Sequence, residues 1–503
     1  MHASAAEAVL AMAGRLAAGD PAARFGGAAI DSRTIRGGEL FFAFRGERVD
    51  GRSFVADAFA RGAAGAVVES AESGAGDPAA RLPAGSDGFL IEVGDVGDAL
   101  VELARSLRDR APEQLAGITG SAGKTTTKEL LAAMLARRFR VGRTVGNFNN
   151  RIGLPVSLLN VPDDTEWMVA EMGMSSAGEL RELSLLARPD LAVFTVVRPA
   201  HLEFFDSVRA IAEAKAELLA GLASDGWVVA NACDPEIVRI VRRHRDERDE
   251  RDEQQGGRII WYALGEPVDG FADGEDRLDL RALDVLADPD GLGSRFTLEV
   301  EGERRPVHLA LHGAYNVENF LAAAAAAWSI GVPLEEILEV AAEMPSAKGR
   351  GEVHRLELEG GIAVLIDDSY NSNPDAVGKA LAGAAGLVSS NRPNGRVGCS
   401  HRRVAILGDM LELGASGPAF HREAGKQAAA LGFSPVVGVG ELARELVAGA
   451  AAGGAEAIHF SEANAAAEWA ASHVVPGDVV LVKGSRGVHL DRVVDRMRGE
   501  ERA

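Results

Sequence analysis

The sequence predicts an α/β protein of three domains: a small mixed α/β amino-terminal domain, a central P-loop domain with a doubly wound sheet, and a Rossmann-like α/β carboxyl-terminal domain. Three observations predict this. The 503 residues are too many for one core, because domains usually hold about 100 to 200 residues. Short apolar strands alternate with helical patterns in two long stretches, which is typical of mostly parallel sheets. A glycine-rich turn followed by Lys-Thr joins one such strand to a helix.

The first domain is predicted at residues 1–110. Its strand candidates are the apolar runs "ELFFAFRG" and "AAGAVVES". The opening stretch "MHASAAEAVLAMAGRLAAGD" is predicted to form an amphipathic helix and not a signal peptide, because it lacks a basic start and carries Glu7 within its apolar pattern. A charged, proline-bearing link at 108–113 ends this domain.

The second and third domains are predicted at 111–347 and 348–503, with a break at 344–352. In the second, "LAGITG", "WMVAEMG", "DLAVFTVV" and "WVVANA" are strands, and the charged run at 242–258 is expected to be a solvated surface excursion. In the third, the strands are "GIAVLIDD", "RRVAILGD", "FSPVVGVG" and "GDVVLVKG", each followed by a helical pattern. The glycine-rich "NRPNGRVGCSHRR" is expected to be a surface loop.

The composition excludes several classes of protein. A formal net charge of −21 disfavours binding to nucleic acid or anionic membrane, since both reward clustered basic residues. Cys233 and Cys399 are the two cysteines, too few for a disulfide framework. The longest apolar run, which starts at Phe320, is interrupted by Gly331 and Pro333 and is shorter than the roughly 20 residues of a bilayer span. We therefore expect a cytoplasmic protein without membrane insertion. A monomer is a separate expectation.

The stretch "GITGSAGKTTT" is predicted to bind nucleotide phosphates. Its glycines let backbone N–H groups surround phosphate oxygens, the following helix offers its positive end, and Lys124 adds a cation. Thr125 can place its hydroxyl on Mg²⁺. The loop is a variant of the usual spacing G-x-x-x-x-G-K-[ST], because Ile118 stands five residues before Gly123. A turn that only joins strand to helix would not account for the Lys-Thr pair.

Two residues after neighbouring strands are candidate metal ligands. Glu171 ends the strand "WMVAEMG", and His201 follows "DLAVFTVV" by a short turn. The carboxyl ends of parallel strands meet at one edge of a sheet, where ligands bind. Two plainer interpretations stay open: Glu171 as a helix-capping acid, and His201 as a packed loop residue.

Lys215 lies in the apolar stripe of a helix that Ser207 is predicted to cap. A lysine on an inward face is costly unless its charge is paired, lowered or chemically changed. The alternative is a lysine whose stem covers the core while its ammonium reaches water. Position alone does not decide between them.

Further polar residues stand where a nucleotide or a second substrate could be held. Asn316 and Asn319 lie one turn apart at a helix start, although capping would explain one of them. Asp368, Tyr370 and Asn371 follow a buried strand. After the last strong strand come residues that could grip a carboxylate or form a solvated turn: Lys483, Ser485 and Arg486.

Taken together, these motifs resemble the Mur ligase family, the ATP-dependent amide ligases that build the peptide of peptidoglycan. The resemblance covers nearly the whole chain, in order, through "GSAGKTTTKE", "GNFNNRIGLP", "AEMGMSSAGEL", "AHLEFF", "AKAEL", "YNVEN", "DDSYNSNPDA", "LGDMLELG" and "VKGSRG". Within the family, the pattern is most similar to members that join D-alanyl-D-alanine to UDP-N-acetylmuramoyl-tripeptide through an acyl phosphate.

The resemblance implies site roles, residue by residue. The implied ATP-binding residues are Gly120, Ser121, Ala122, Gly123, Lys124, Thr125, Thr126, Asn316, Asn319, Arg350, Asp368, Tyr370 and Asn371. The implied Mg²⁺ ligands are Thr125, Glu171 and His201, and the implied catalytic residues are Lys124, Lys215, His201 and Glu171. Lys215 matches a lysine that relatives carry as a carbamate. Ser32 and Arg33 match the uridine-diphosphate contacts, and Lys483, Ser485 and Arg486 lie on the dipeptide side.

Rival functions remain open. The preceding ligase of the family, which adds diaminopimelate or lysine, shares the "DSR" pattern, but its Asp-Asn-Pro-Arg element is absent here. Folate polyglutamylation would share the central loop without the uridine domain, and a non-catalytic nucleotide-binding scaffold is a third alternative. Two departures from the family stand at Tyr315, where relatives often have His, and at Arg198, where many have a small residue.

Overall fold

The computed structural model describes residues 1–46, 49–70, 82, 85–146, 148–199, 203–250, 258–271, 276–288, 292–387 and 402–500. Within these residues the strands form sheets of two, five, nine and six strands. The predicted fold class, three α/β regions in series, is confirmed. The chain passes from the five-stranded to the nine-stranded sheet between Leu107 and Gln114, and on to the six-stranded sheet between Glu343 and Glu352.

The amino-terminal region is a small mixed layer of sheet and helices. Its strands are β1 (His2–Ser4), β2 (Arg15–Ala18), β3 (Arg24–Gly26), β4 (Ala28–Ala29), β5 (Leu40–Phe42), β6 (Gly65–Glu69) and β7 (Phe89–Val93). Its helices are α1 (Ala5–Ala11), α2 (Val55–Ala60) and α3 (Val96–Leu107), with 3₁₀ turns at Ser32–Thr34 and Gly51–Phe54. The sheet order is β2-β7-β6-β5-β4, with only β2 antiparallel to its neighbour.

The prediction of one amphipathic helix at the amino terminus is wrong in extent. Ser4 and Glu7 form a capping box that starts α1, so the residues before it are free to pair as β1 with β3. The helix stops after Ala11 because Ala13 adopts a positive φ of 49° and Gly14 follows. The chain then enters β2. The apolar residues that were predicted to form one helix are therefore divided between α1 and the strands on either side of it.

The central region carries the largest sheet. Its strands are β8 (Gln114–Thr119), β9 (Val141–Arg143), β10 (Trp167–Glu171), β11 (Leu191–Phe194), β12 (Trp227–Asn231), β13 (Ile259–Leu264), β14 (Leu278–Ala287), β15 (Ser294–Val300) and β16 (Glu303–Leu309). Its helices are α4 (Lys124–Leu135), α5 (Gly153–Leu159), α6 (Glu179–Ala187), α7 (Val208–Ala216), α8 (Pro235–Glu250), α9 (Ala314–Ser329) and α10 (Leu334–Glu343), with a 3₁₀ turn at Glu217–Gly221.

The order β16-β15-β14-β13-β12-β11-β8-β10-β9 places β8 between β11 and β10, all three parallel. The carboxyl ends of these strands therefore meet, as the sequence predicted. The antiparallel extension β14–β16 was not predicted, although its alternating polar residues were a usable signal. The charged run at 242–258 was predicted to be a solvated surface excursion. Its first part instead continues helix α8 to Glu250, with Arg242 and Arg245 paired to Asp276, and residues 251–257 lie outside the described residues.

The carboxyl-terminal region has sheet order β17-β18-β22-β19-β20-β21, with β17 antiparallel and the rest parallel. The strands are β17 (Glu352–Leu358), β18 (Gly361–Asp368), β19 (Arg403–Gly408), β20 (Phe433–Val439), β21 (Ala457–Phe460) and β22 (Val479–Lys483). The helices are α11 (Pro374–Gly386), α12 (Gly417–Ala430), α13 (Ala443–Ala452), α14 (Ala463–His473) and α15 (Asp491–Arg498), with 3₁₀ turns at Gly414–Ser416 and Arg486–Val488. The predicted surface loop "NRPNGRVGCSHRR" lies outside the described residues except for its last two arginines. Cys399 lies outside them as well.

The core is divided by the sheets. One apolar cluster runs from the amino-terminal region into one face of the central sheet, a second covers the other face of that sheet, and two more flank the carboxyl-terminal sheet. In the described part of the chain, no helix is both long and apolar enough to cross a bilayer.

Candidate active site

The phosphate loop joins β8 to α4 in a conformation that needs glycine. Gly120 and Gly123 have φ values of 155° and 84°, and Gly123 starts α4 without a side-chain cap. A Cβ at Gly120 would collide with Thr195 Oγ1, and one at Gly123 with Asn319 Oδ1. The loop is therefore packed closely from two sides, and it presents backbone at the amino-terminal end of a helix, as an anion site requires.

A hydroxyl and a carboxylate meet next to this loop. Thr125 Oγ1 donates a hydrogen bond to Glu171 Oε2 at 2.7 Å, and Asn149 Nδ2 donates to Glu171 Oε1 at 2.8 Å. Glu171 is buried at the end of β10, and its own N–H donates to Thr144 Oγ1 at 3.0 Å. Hydroxyl and carboxylate oxygens are the donors that Mg²⁺ prefers, so the pair fits a magnesium site.

Two lysines lie close together in the same place. Lys124 Nζ donates to the Gly120 carbonyl at 2.7 Å. Burial lowers the pKa of Lys124, while Glu171 opposes that shift. Burial and the neighbouring Lys124 hold the pKa of Lys215 well below the usual range of lysine. Ser207 caps α7 by accepting from Ala210 N at 3.1 Å, as predicted, and thereby fixes the helix that carries Lys215.

The opposite wall comes from the carboxyl-terminal region. Lys483 Nζ lies 2.7 Å from Asp368 Oδ2 and donates to the Asn371 carbonyl at 2.9 Å. The Arg350 guanidinium stands 4.2 Å from the centroid of the Tyr370 ring, and Arg486 Nη1 lies 3.2 Å from the Tyr370 hydroxyl. This wall therefore combines an aromatic face with several cations.

The two walls enclose one cleft of about 460 Å³, a size suited to a nucleotide. Its lining includes the phosphate loop from Ser121 to Thr126, Glu171 and Lys215 on one side, and Asp368, Tyr370 and Arg486 on the other. Residues that the sequence predicted separately are thus brought together.

Comparison with known proteins places this arrangement in a family. Three sequence models match: "Mur ligase family, catalytic domain" at 25–108, "Mur ligase middle domain" at 118–327, and "Mur ligase, glutamate ligase domain" at 349–486. The chain is 32% identical to the UDP-N-acetylmuramoyl-tripeptide--D-alanyl-D-alanine ligase of Synechocystis, over 93% of this chain and 91% of the relative. It belongs to the Mur ligase family. The ligase of the same name from Escherichia coli is 31% identical over 92% of each chain.

Solved Mur ligase structures share the fold. A crystal structure of MurF from Acinetobacter baumannii superposes with a TM-score of 0.77 at 26% identity, covering 99% of both chains. MurF ligase from Thermotoga maritima, in complex with ADP, gives a TM-score of 0.73 at 26% identity over 94% of this chain and 97% of the other. The correspondence extends over all three regions of the fold.

Some residues assigned by the Mur ligase resemblance lie apart from the cleft or have other contacts. Ser32 and Arg33 start a 3₁₀ turn in the amino-terminal region and are not part of the cleft lining, and Arg33 pairs with Asp31. Ser485 Oγ accepts from the Leu411 N–H at 3.0 Å. His201 lies outside the described residues. The roles of Ser32, Arg33, Ser485 and His201 stay predictions.

The side-chain amides of the asparagine pair of α9 donate hydrogen bonds within the protein. Asn316 Nδ2 donates to the His312 carbonyl at 2.9 Å, and Asn319 Nδ2 donates to Asn316 Oδ1 at 3.2 Å. Asn319 faces Gly123 of the phosphate loop and lines the cleft. The pair thus supports the loop, and its predicted contact with ATP stays a prediction.

Two contributors to the site were missed. Asn149 orients Glu171, and Thr195 Oγ1 donates to the Ala122 carbonyl at 2.6 Å. Asn149 lies in "GNFNN", a motif that the resemblance included without a role, whereas Thr195 had no signal beyond its place at a strand end. Tyr315, which replaces the common His, lies in the cleft wall with its hydroxyl against Gly351, and burial raises its pKa.

Proposed function

We propose that this chain is an ATP-dependent ligase that joins D-alanyl-D-alanine to UDP-N-acetylmuramoyl-tripeptide, giving the UDP-linked pentapeptide precursor of peptidoglycan. The observation that carries the proposal is the single cleft in which the phosphate loop and the Thr125–Glu171 pair face the Asp368, Tyr370 and Arg486 wall. The names of the relatives from Synechocystis and Escherichia coli support the substrates. The T. maritima complex with ADP supports the nucleotide.

The proposed chemistry has two steps. The free carboxylate of the tripeptide attacks the γ-phosphorus of ATP, which forms an acyl phosphate and releases ADP. The amine of D-alanyl-D-alanine then attacks the acyl carbon, loses a proton and expels phosphate. Negative charge gathers on the transferred phosphoryl group, so cations placed beforehand lower the barrier.

Lys124 is the cation that this chain places at the phosphates. Its ammonium is held over the loop by the Gly120 carbonyl, and Glu171 counteracts the effect of burial on its pKa. The proposed metal ligands are Thr125, Glu171 and His201, and Asn149 keeps the Glu171 carboxylate oriented toward Thr125. Mg²⁺ bound there would neutralise charge on the phosphates.

Lys215 is proposed to be carbamylated. Burial and Lys124 favour its neutral amine, the form that can attack carbon dioxide. The reaction forms an N–C bond and releases one proton, which leaves an anion beside Lys124. The change would explain how a lysine can stand buried next to another cation.

The remaining assignments follow the three regions. We assign residues 1–110, with Ser32 and Arg33, to the uridine-diphosphate end of the substrate, 111–347 to ATP, and 348–503 to the dipeptide. All three dipeptide-side candidates, Lys483, Ser485 and Arg486, line the cleft, and Lys483 is engaged there by Asp368. A monomeric state and a cytoplasmic location stay predictions.

The test is phosphate release by the purified chain with Mg-ATP and UDP-N-acetylmuramoyl-tripeptide, together with the mass of the product. We expect release that depends on D-alanyl-D-alanine and a product heavier by one dipeptide. Turnover with diaminopimelate on the UDP-linked dipeptide would instead identify the preceding ligase. ATP binding without turnover on either substrate pair would favour a scaffold.

A further inference from the structure

A cluster of charged residues joins the central region to α11 at the edge of the cleft, and none of its members was assigned to the reaction. Arg198, Asp234 and Glu318 come from the central region, and Asp375 and Lys379 lie one turn apart on α11. The cluster borders the cleft, because Glu318, Asp375 and Lys379 are part of its lining. Two chains of contacts lead from this cluster to the phosphate loop.

The first chain runs through Arg198. The Ser121 hydroxyl donates to the Arg198 carbonyl and accepts from the Arg198 N–H, each at 3.0 Å, and Ser121 N donates to the Val196 carbonyl at 2.7 Å. The Arg198 backbone is thus held directly against the phosphate loop. Its side chain then extends away from the loop toward α11.

The Arg198 guanidinium binds carboxylates from both regions. Nη1 lies 2.6 Å from Asp234 Oδ2, and Nε lies 3.4 Å from Asp375 Oδ1. Asp234 is buried and also accepts a hydrogen bond from Val197 N at 2.8 Å, so the carboxylate that holds the Arg198 guanidinium is itself fixed in place. Asp375 stands in the first turn of α11, directly after the Asn373 cap and Pro374. The ion pair with Asp375 therefore crosses between the two regions, and the one with Asp234 does not.

The second chain runs through Glu318. Lys379 Nζ lies 3.0 Å from Glu318 Oε2, and Asn231 Nδ2 donates both to Glu318 Oε1 and to the Thr195 carbonyl, each at 3.0 Å. Thr195 in turn donates to the Ala122 carbonyl of the phosphate loop. The loop is therefore linked to α11 at two points.

We propose that Arg198 is a positioning residue that couples the phosphate loop to α11. It thereby fixes the position of one wall of the nucleotide site relative to the other. This inference rests on the proposed function for its kinetic consequence, and on geometry for its effect on nucleotide binding. A small residue at this position could hold the backbone contacts to Ser121 but not the contact to Asp375. The link through Asp375 is thus a property of the arginine, one of the two departures from the family pattern.

The test is a double-mutant cycle with Arg198→Gln, Asp375→Asn and both changes together. The readouts are the dissociation constant of AMP-PNP with Mg²⁺, measured by calorimetry, and kcat and KM for ligation. We expect each single change to weaken AMP-PNP binding about tenfold, and the double variant to be no weaker than the worse single, which is a coupling of about tenfold. Arg242→Gln is the matched control, because Arg242 is similarly exposed (31% against 26%) and pairs with Asp276 of the central region instead of with α11.

If the weakening of AMP-PNP binding in the double variant equals the product of the two single effects, the coupling is contradicted. Arg198 would then only pair with Asp234. An unchanged AMP-PNP dissociation constant in Arg198→Gln would overturn it as well. If the wild type binds AMP-PNP but does not ligate, the proposed function fails, and the binding cycle still decides the coupling.

Discussion

Two buried lysines on opposite walls of the cleft have opposite surroundings. Lys215 of the central region and Lys483 of the carboxyl-terminal region are both 3% exposed. Lys483 lies 2.7 Å from the Asp368 carboxylate and also donates to the Asn371 carbonyl. Among the described residues, Lys215 makes no side-chain hydrogen bond or ion pair, and its charged neighbour is the cation Lys124.

The two lysines are equally buried, so the difference between them comes from the charged group beside each ammonium. The Asp368 carboxylate pairs with the Lys483 ammonium and ties the end of β18 to the end of β22, which is a structural contact. Burial next to another cation pushes Lys215 toward the neutral amine, which is a reactive state. One lysine should therefore govern stability and the other activity.

The largest expected effect is on activity at Lys215. Lys215→Met should lower kcat for ligation by about 10²-fold or more, because the proposed carbamate, an anion that would balance Mg²⁺ and Lys124 beside the phosphates, is lost. AMP-PNP binding should change by less than about threefold. Steady-state phosphate release and calorimetry would measure the two quantities.

Carbon dioxide separates a carbamate from a plain lysine at this position. Wild-type activity should fall in degassed, bicarbonate-free buffer and return when bicarbonate is added, and Lys215→Arg should be as inactive as Lys215→Met. Full activity of Lys215→Arg, or of the wild type without bicarbonate, would contradict the carbamate. Lys426→Met, on the exposed part of α12, is the control that should keep both the activity and its bicarbonate dependence.

The next effect is on stability at Lys483. Lys483→Met leaves the largely buried Asp368 carboxylate, 14% exposed, without its ammonium, which should reduce the free energy of unfolding by about 3 kcal/mol. Lys215→Met should change the same quantity by less than about 1 kcal/mol, or raise it, since it removes an amine that has no hydrogen-bond partner among the described residues. Urea unfolding gives both values, and amide exchange in β18 and β22 locates the loss. Equal losses for the two variants would refute the contrast.

The smallest expected effect is the pH dependence of the Lys483→Met loss. Burial raises the pKa of Asp368 above 3.8, and Lys483 opposes that rise, so the variant's carboxyl takes up its proton at a higher pH than the wild type's. Between the unfolded and folded pKa values the folded state binds more protons, so stability falls as pH rises, by at most about 1.4 kcal/mol per unit. The loss should therefore be greater at about pH 8 than at about pH 5. Adding Asp368→Asn should remove this slope, and a slope that persists would assign it to another group.

Much of the fold could be predicted because strand and helix periodicity is local. The strands that end at Thr119, Glu171 and Asp368 were predicted from their apolar runs. The amino-terminal helix was overextended, because a capping box at Ser4 and the positive φ of Ala13 confine it to seven residues. The antiparallel strands β14–β16 alternate apolar and polar residues, so they contain no continuous apolar run like those from which the other strands were predicted.

The sequence by itself determined the order of the three α/β regions, the phosphate loop and the resemblance that connects the motifs. These are carried by residue types at short spacing, where backbone geometry and side-chain chemistry suffice. Only the tertiary structure decided that Asn149 orients Glu171, that Lys483 is paired while Lys215 stands beside Lys124, and that Arg198 reaches Asp375. The reason is that these contacts join residues far apart in the chain, and electrostatic environment depends on distance in space.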